Sequence, residues 1–241
     1  MEQILLFSFL PVLAALFGAS LTAVRPPGAR LRSAVQHFAA GVVFSVVAVE
    51  LMPDIMREHK PLPVILGFVL GISVMLVIRS LTRGAEQHES NAGRALPAAL
   101  LIATGVDVLI DGFLIGIGFA AGAKEGKLLA IAITIELLSL GLATAVALKE
   151  SGVGRFRTVV TTTGIALLIV VGAALGGTVL RTLSGSAMET VLSFGLAALL
   201  FLVTEELLVE AHEVPETPWI TGCFFAGFLL FVVLGMLEAV R

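Results

Sequence analysis

Tyrosine is absent from this chain of 241 residues, and tryptophan and cysteine occur once each. Charge is scarce too: Asp, Glu, Lys and Arg make up 14% of the residues, against about a quarter in soluble domains. Each shortage excludes something. A lone Cys223 inside an apolar run leaves no intrachain disulfide and no thiolate metal cluster. A net charge of −3 without a basic amphipathic face offers nothing to nucleic acid. No ATP-binding glycine loop occurs, so the chain is not a primary pump in itself. What the chain has in quantity is apolar surface, with 58% hydrophobic residues and a mean hydropathy of +1.05. This composition describes an integral membrane protein whose first partner is the lipid bilayer.

A helix needs about 20 mostly apolar residues to cross a bilayer. Runs bounded by charge, Pro or Gly predict eight spans, at 3–24, 34–53, 62–80, 95–121, 127–148, 158–181, 187–209 and 218–240. The first lacks a basic leader and a small-residue cleavage site, and reads as a retained helix instead of a signal peptide. Connections are short. "RPPGAR" (25–30) and "HEVPETP" (212–218) are breakers, and "RGAEQHESNAGR" (83–94) reads as the one cytosolic loop of any size. One face holds nine basic residues: Arg25, Arg30, Arg32, Arg79, Arg83, Arg94, Lys149, Arg155 and Arg157. The other holds six: Arg57, Lys60, Lys124, Lys127, Arg181 and Arg241. By the positive-inside rule the richer face is cytoplasmic, which predicts a multi-pass protein of the cell membrane with both termini outside.

Shifted by 156 residues, two stretches of the sequence align without a gap. "FAAGVVFSVVAVELMPD" (38–54) lies over "FGLAALLFLVTEELLVE" (194–210), pairing Phe38 with Phe194 and Glu50 with Glu206. The next helices keep register, Gly71 over Gly227. Spans 1–3 (residues 1–82) then repeat as spans 6–8 (residues 156–241), with a central pair at 95–149. Five crossings separate the starts of the two units, so they have opposite orientation. Inverted repeats around a distinct centre are a transporter design that binds substrate near the midplane.

The central pair carries the chemistry. "GVDVLIDGFLIGIG" (105–118) places Asp107 and Asp111 at i, i+4, on one face of span 4 and more than ten residues inside it, with Thr104 on the same face. Span 5 places Glu136 at comparable depth, followed by Ser139. Each acid costs about 2.5–3.5 kcal/mol to insert at mid-membrane. No intramembrane Lys or Arg offsets them. Protonated carboxylates hydrogen-bonded between helices would need three separately satisfied sites. A shared cation facing a water-filled path relieves repulsion and desolvation together, so Asp107, Asp111 and Glu136 are expected to bind one cation. Gly105, Gly112, Gly116, Gly118 and Gly141 permit close helix approach. Glu50 and Asp54 fall at the outer end of span 2, and Glu205, Glu206, Glu210 and His212 at the inner end of span 7. These read either as entrance and exit relays or as solvated helix ends. His37, His59 and His88 read as plain interfacial or loop residues.

This pattern resembles the ZIP (Zrt/Irt-like) metal transporters over nearly the whole chain, in the second span, in "LVTEELLVEAHE" of the seventh, and in the three, two and three arrangement. The fourth-span motif of that family, His-Asn-x-Pro-Glu-Gly, falls on Asp107-Val108-Leu109-Ile110-Asp111-Gly112. The fifth-span motif falls on Glu136-Leu137-Leu138-Ser139-Leu140-Gly141. Two ligand positions are kept as Asp107 and Asp111, while Val108 and Ile110 replace a ligand and the kinking proline. Leu137 and Leu140 leave Glu136 as the only ligand on span 5. The resemblance implies an eight-helix ZIP-like fold, a homodimer, and a single-site relative with the second metal position erased. It also implies alternating access, spans 1, 4, 5 and 6 moving against 2, 3, 7 and 8.

An all-oxygen ligand set suits hard cations such as Mn²⁺, Mg²⁺ and Ca²⁺, and Fe²⁺ or Co²⁺ less well, while zinc prefers nitrogen or sulfur. Three acids also suit an organic amine or polyamine. Either is a substrate, and no cofactor is expected. An enzyme is not expected: "HEVPE" has Glu216 where H-E-x-x-H needs its second His, and no Ser-His or paired-Asp protease motif occurs.

Overall fold

The computed structural model describes residues 1–57, 59–90, 98–179, 183–215 and 217–238, with the side chains of 82–90, 99 and 238 left out. Arg94, Arg181, Glu216 and Arg241 lie outside the described residues, as do the side chains of Arg83 and His88. Among the described residues the chain is helical without strands, and eight helices are long and apolar enough to cross a membrane. They are α1 (Glu2–Val24), α2 (Ala29–Arg57), α3 (Pro61–Ser90), α4 (Ala98–Ala121), α5 (Ala123–Glu150), α6 (Arg155–Val179), α7 (Ser186–Ala211) and α8 (Pro218–Glu238). This is an all-α polytopic membrane protein.

Several helices outrun their hydropathy limits. α5 begins at Ala123 and not near 127, because Lys124, Glu125 and Lys127 are good helix formers although their charge takes them out of an apolar run. The expected loop 83–94 is helical up to Ser90. Its Ala, Glu and Gln favour helix, and the single Gly84 costs only about 1 kcal/mol. α4 runs unbroken through Ile110, where the family motif has proline. α6 is interrupted at Leu167, just after the weak helix formers Thr161, Thr162, Thr163 and Gly164.

The helices pair in a regular pattern. The most extensive contacts join α1 to α5, α4 to α6, α2 to α8 and α3 to α7. Exchanging spans 1–3 with 6–8, and 4 with 5, maps this set onto itself. Glycine contacts repeat the exchange at residue level: a Cβ on Gly71 would meet the Phe194 carbonyl oxygen, and one on the matching Gly227 would meet that of Phe38. Both α2 and α7 widen into π-helix, over Val46–Leu51 and Val203–Leu207, and the 156-residue shift superposes the two segments. A π segment rotates the helix face beyond it. Here that turns Glu50 and Glu206 off the regular helical register.

The bundle therefore falls into two groups of four, α1, α4, α5, α6 and α2, α3, α7, α8. Between the groups, α2 lies against α5, and α4 meets α3 and α7.

Candidate functional site

A cavity of about 430 Å³ opens between the groups where α2 and α4 begin and α5 and α7 end, with Ile78 and Arg79 of α3 beside it. This is the face of Arg25, Arg32, Arg79, Lys149 and Arg155. Asp107, Glu136, Thr104 and Ser139 line its inner part, and Glu205, Glu206 and Glu210 line the α7 wall. Asp111 lies one turn beyond Asp107, away from the opening, and is 2% exposed. Glu136 is 3% exposed. One carboxylate oxygen of each has no hydrogen-bond partner among the described residues. A buried acid normally finds donors; Glu189, the other buried acid with such an oxygen, is paired through its second oxygen to Lys60, whereas no cation pairs with Asp111 or Glu136 among the described residues.

Local structure accounts for the convergence. Asp107 and Asp111 share a face because α4 is regular between them. Gly112, one residue on, lets α4 press onto the backbone of α6 at Ile169. Gly141 plays the same part on α5, against Ala15 of α1. The small residues stay on the packing faces, and the acids turn toward the gap. Thr104 donates its hydroxyl to the Leu100 carbonyl at 2.9 Å, which leaves its oxygen able to accept from, or coordinate, a ligand.

The structure brings two span-end acids up to this cluster, Glu206 and, beside Asp107 and Glu206, Glu210. Glu206 is an electrostatic neighbour of both Asp107 and Asp111, and Glu136 is a neighbour of Asp111, Glu206 and Asp107. Its only sequence signal is the register that places it over Glu50. The other span-end residues have partners of their own. Glu205 is held by Arg79, whose guanidinium also sits 5.7 Å from the Phe201 ring centre. Glu210 accepts from the Gln36 amide. Asp54 pairs with Arg57 at 3.4 Å on the surface. Glu50 is buried on the opposite face and accepts from Lys124 at 2.9 Å. His37 departs from its interfacial reading: it is 2% exposed, donates from Nδ1 to the Ser33 carbonyl at 2.9 Å, and stacks edge-on against His212 with ring centres 5.2 Å apart. Close packing of the start of α2 on the end of α7 buries it. His59 is exposed in the turn before α3, with a φ of 52°.

Among the described residues no group of three or more His, Cys, Asp or Glu stands in ready metal-ligating geometry. A cation at this place has to draw the carboxylates together by side-chain rotation. Neither protein-family models nor curated proteins match the chain.

Proposed function

We propose that the protein is a secondary transporter that carries a cation through one carboxylate site, and that the cation is a divalent metal of the Mn²⁺, Fe²⁺, Mg²⁺, Co²⁺ or Zn²⁺ class. One observation carries the reading. Asp111 and Glu136 are almost fully buried with an oxygen each that has no partner among the described residues, and Glu136 lines, with Asp107, a cavity that opens on the face of Arg32 and Arg79. Unpaired acids in a membrane interior are expensive and are kept where an ion passes. The likeness to ZIP transporters and the division into two four-helix groups support alternating access, with α1, α4, α5 and α6 as the moving unit. The open face is then the cytoplasmic one in the cell membrane, by its basic residues. An organic amine is the second reading, favoured by a cavity of about 430 Å³, far larger than a bare ion needs.

Uptake into proteoliposomes tests this. Saturable Mn²⁺ entry that Asp111→Asn abolishes is the expected result, with spermidine competing weakly. Spermidine uptake without entry of any divalent metal transfers the site to amines. No uptake of either ends the transport reading.

Proton competition is a second expectation. Cation binding requires deprotonated carboxylates, so Mn²⁺ affinity should fall steadily when calorimetry is repeated from about pH 8 to about pH 6. A flat profile contradicts binding by acids.

Tying the groups together should stop transport. In a Cys223→Ser background, cysteines at Leu114 and Gly195 join α4 to α7, where a Cβ on Gly195 would lie 3.5 Å from the Leu114 side chain. Cross-linking them should abolish uptake reversibly. Cysteines at Phe44 and Phe228, whose rings are 6.1 Å apart within one group, should be harmless when linked. Equal uptake in both linked proteins rules out relative motion of the groups.

A further inference from the structure

Glu50 and Glu206 occupy the same place in the two repeats, each within the matching π-helical segment. Their surroundings differ. Glu206 lines the cavity beside the carboxylate cluster. Glu50 is 8% exposed on the far side of the bundle, and its charge is met by the Lys124 ammonium at 2.9 Å. Gly235 of α8 closes in on the other carboxylate oxygen, where an added Cβ would stand 2.7 Å away. Lys124 begins α5 in one helix group, and Glu50 belongs to α2 in the other. The ion pair thus bridges the two groups on the face away from the opening.

We propose that this pair is a charge lock: Lys124 takes on Glu50 the place that the transported cation takes on Glu206, and so holds the far face shut while the cavity is open. The proposal deepens the cation reading given above, with the far-side carboxylate as the matching subsite exposed when the groups exchange positions. Sliding of the central unit carries Lys124 off Glu50 and leaves that carboxylate available to an incoming cation. A buried charge that loses its partner is strongly unfavourable, so the locked state and the open cavity stabilise each other. The pairing also assigns a job to a lysine that hydropathy alone places outside any span.

The lock is tested without any transported cation, so its failure is separable from failure of the cation reading. Two single-cysteine reporters are built in the Cys223→Ser background. Val47→Cys lies one turn from Glu50 toward the bundle centre, at a position 1% exposed. Ala143→Cys lines the cavity. Each is labelled with a membrane-impermeant maleimide in metal-free buffer. Lys124→Gln should raise Val47→Cys labelling about tenfold, the population change that follows the loss of a modest part of a buried pair's stabilisation, and should slow Ala143→Cys labelling. Lys124→Arg should behave as wild type, and the exchange Glu50→Lys with Lys124→Glu should restore wild-type rates. Unchanged rates in Lys124→Gln overturn the proposal. So does a rise at both reporters that the charge exchange does not reverse, since that marks loosening of the fold and not a change of state.

Discussion

Replacing Glu136 with Gln is expected to make the cation-free protein more stable and to abolish its stabilisation by added Mn²⁺. Glu136 is 3% exposed, has an oxygen without a partner, and neighbours Asp111, Glu206 and Asp107, all acids. Gln keeps the shape and removes the charge from that neighbourhood. It still carries polar atoms into a site without partners for all of them, so the gain is limited to about 1 kcal/mol, or about 2–4 °C in melting temperature for a chain of this size. Asp111→Asn should behave alike. The loss of metal response is the larger effect, because neither helix alone then supplies a full ligand set. Thermal melts with and without Mn²⁺ read both quantities. A structural acid would give the opposite pattern, with the variant less stable and the metal response kept.

The second large effect concerns α2 and α8. A Cβ on Gly41 would fall on the Phe224 carbonyl, and one on Gly227 on that of Phe38, both inside contact distance of backbone that cannot swing aside. Gly41→Ala and Gly227→Ala should each cost about 1–3 kcal/mol, the usual range for overpacking, and should separate the two helices. Gly222 lies on the same α8 with nothing within 4 Å of an added Cβ. Gly222→Ala should therefore be neutral or stabilising by up to about 1 kcal/mol through helix propensity. Unfolding in detergent compares the three. Equal stability of Gly227→Ala and Gly222→Ala would mean that the close approach of α2 and α8 does not hold the bundle.

Hydropathy reveals eight spans because lipid leaves the backbone no alternative to long apolar helices. The self-match at 156 residues says nothing of which helices pair, although Gly71 and the matching Gly227 each face a carbonyl of the neighbouring helix. Asp107, Asp111 and Glu136 stand out because a mid-membrane acid is costly wherever it sits. Span ends carry no such signal. Glu50, Glu205 and Glu210 are as much at home in water as in an ion pair, and their partners Lys124, Arg79 and Gln36 lie 74, 126 and 174 residues away. The burial of His37 depends on the end of α7, equally distant in sequence. Glu206 joins the cluster through a π segment, which no residue pattern marks.

Calorimetric titration of Mn²⁺ into the purified protein, set beside the Asp111→Asn, Glu136→Gln double variant, bears most directly on the shared-carboxylate site. One ion per chain in the wild type and none in the variant is the predicted result. Two ions per chain, or undiminished binding in the variant, would show that these carboxylates are not the site.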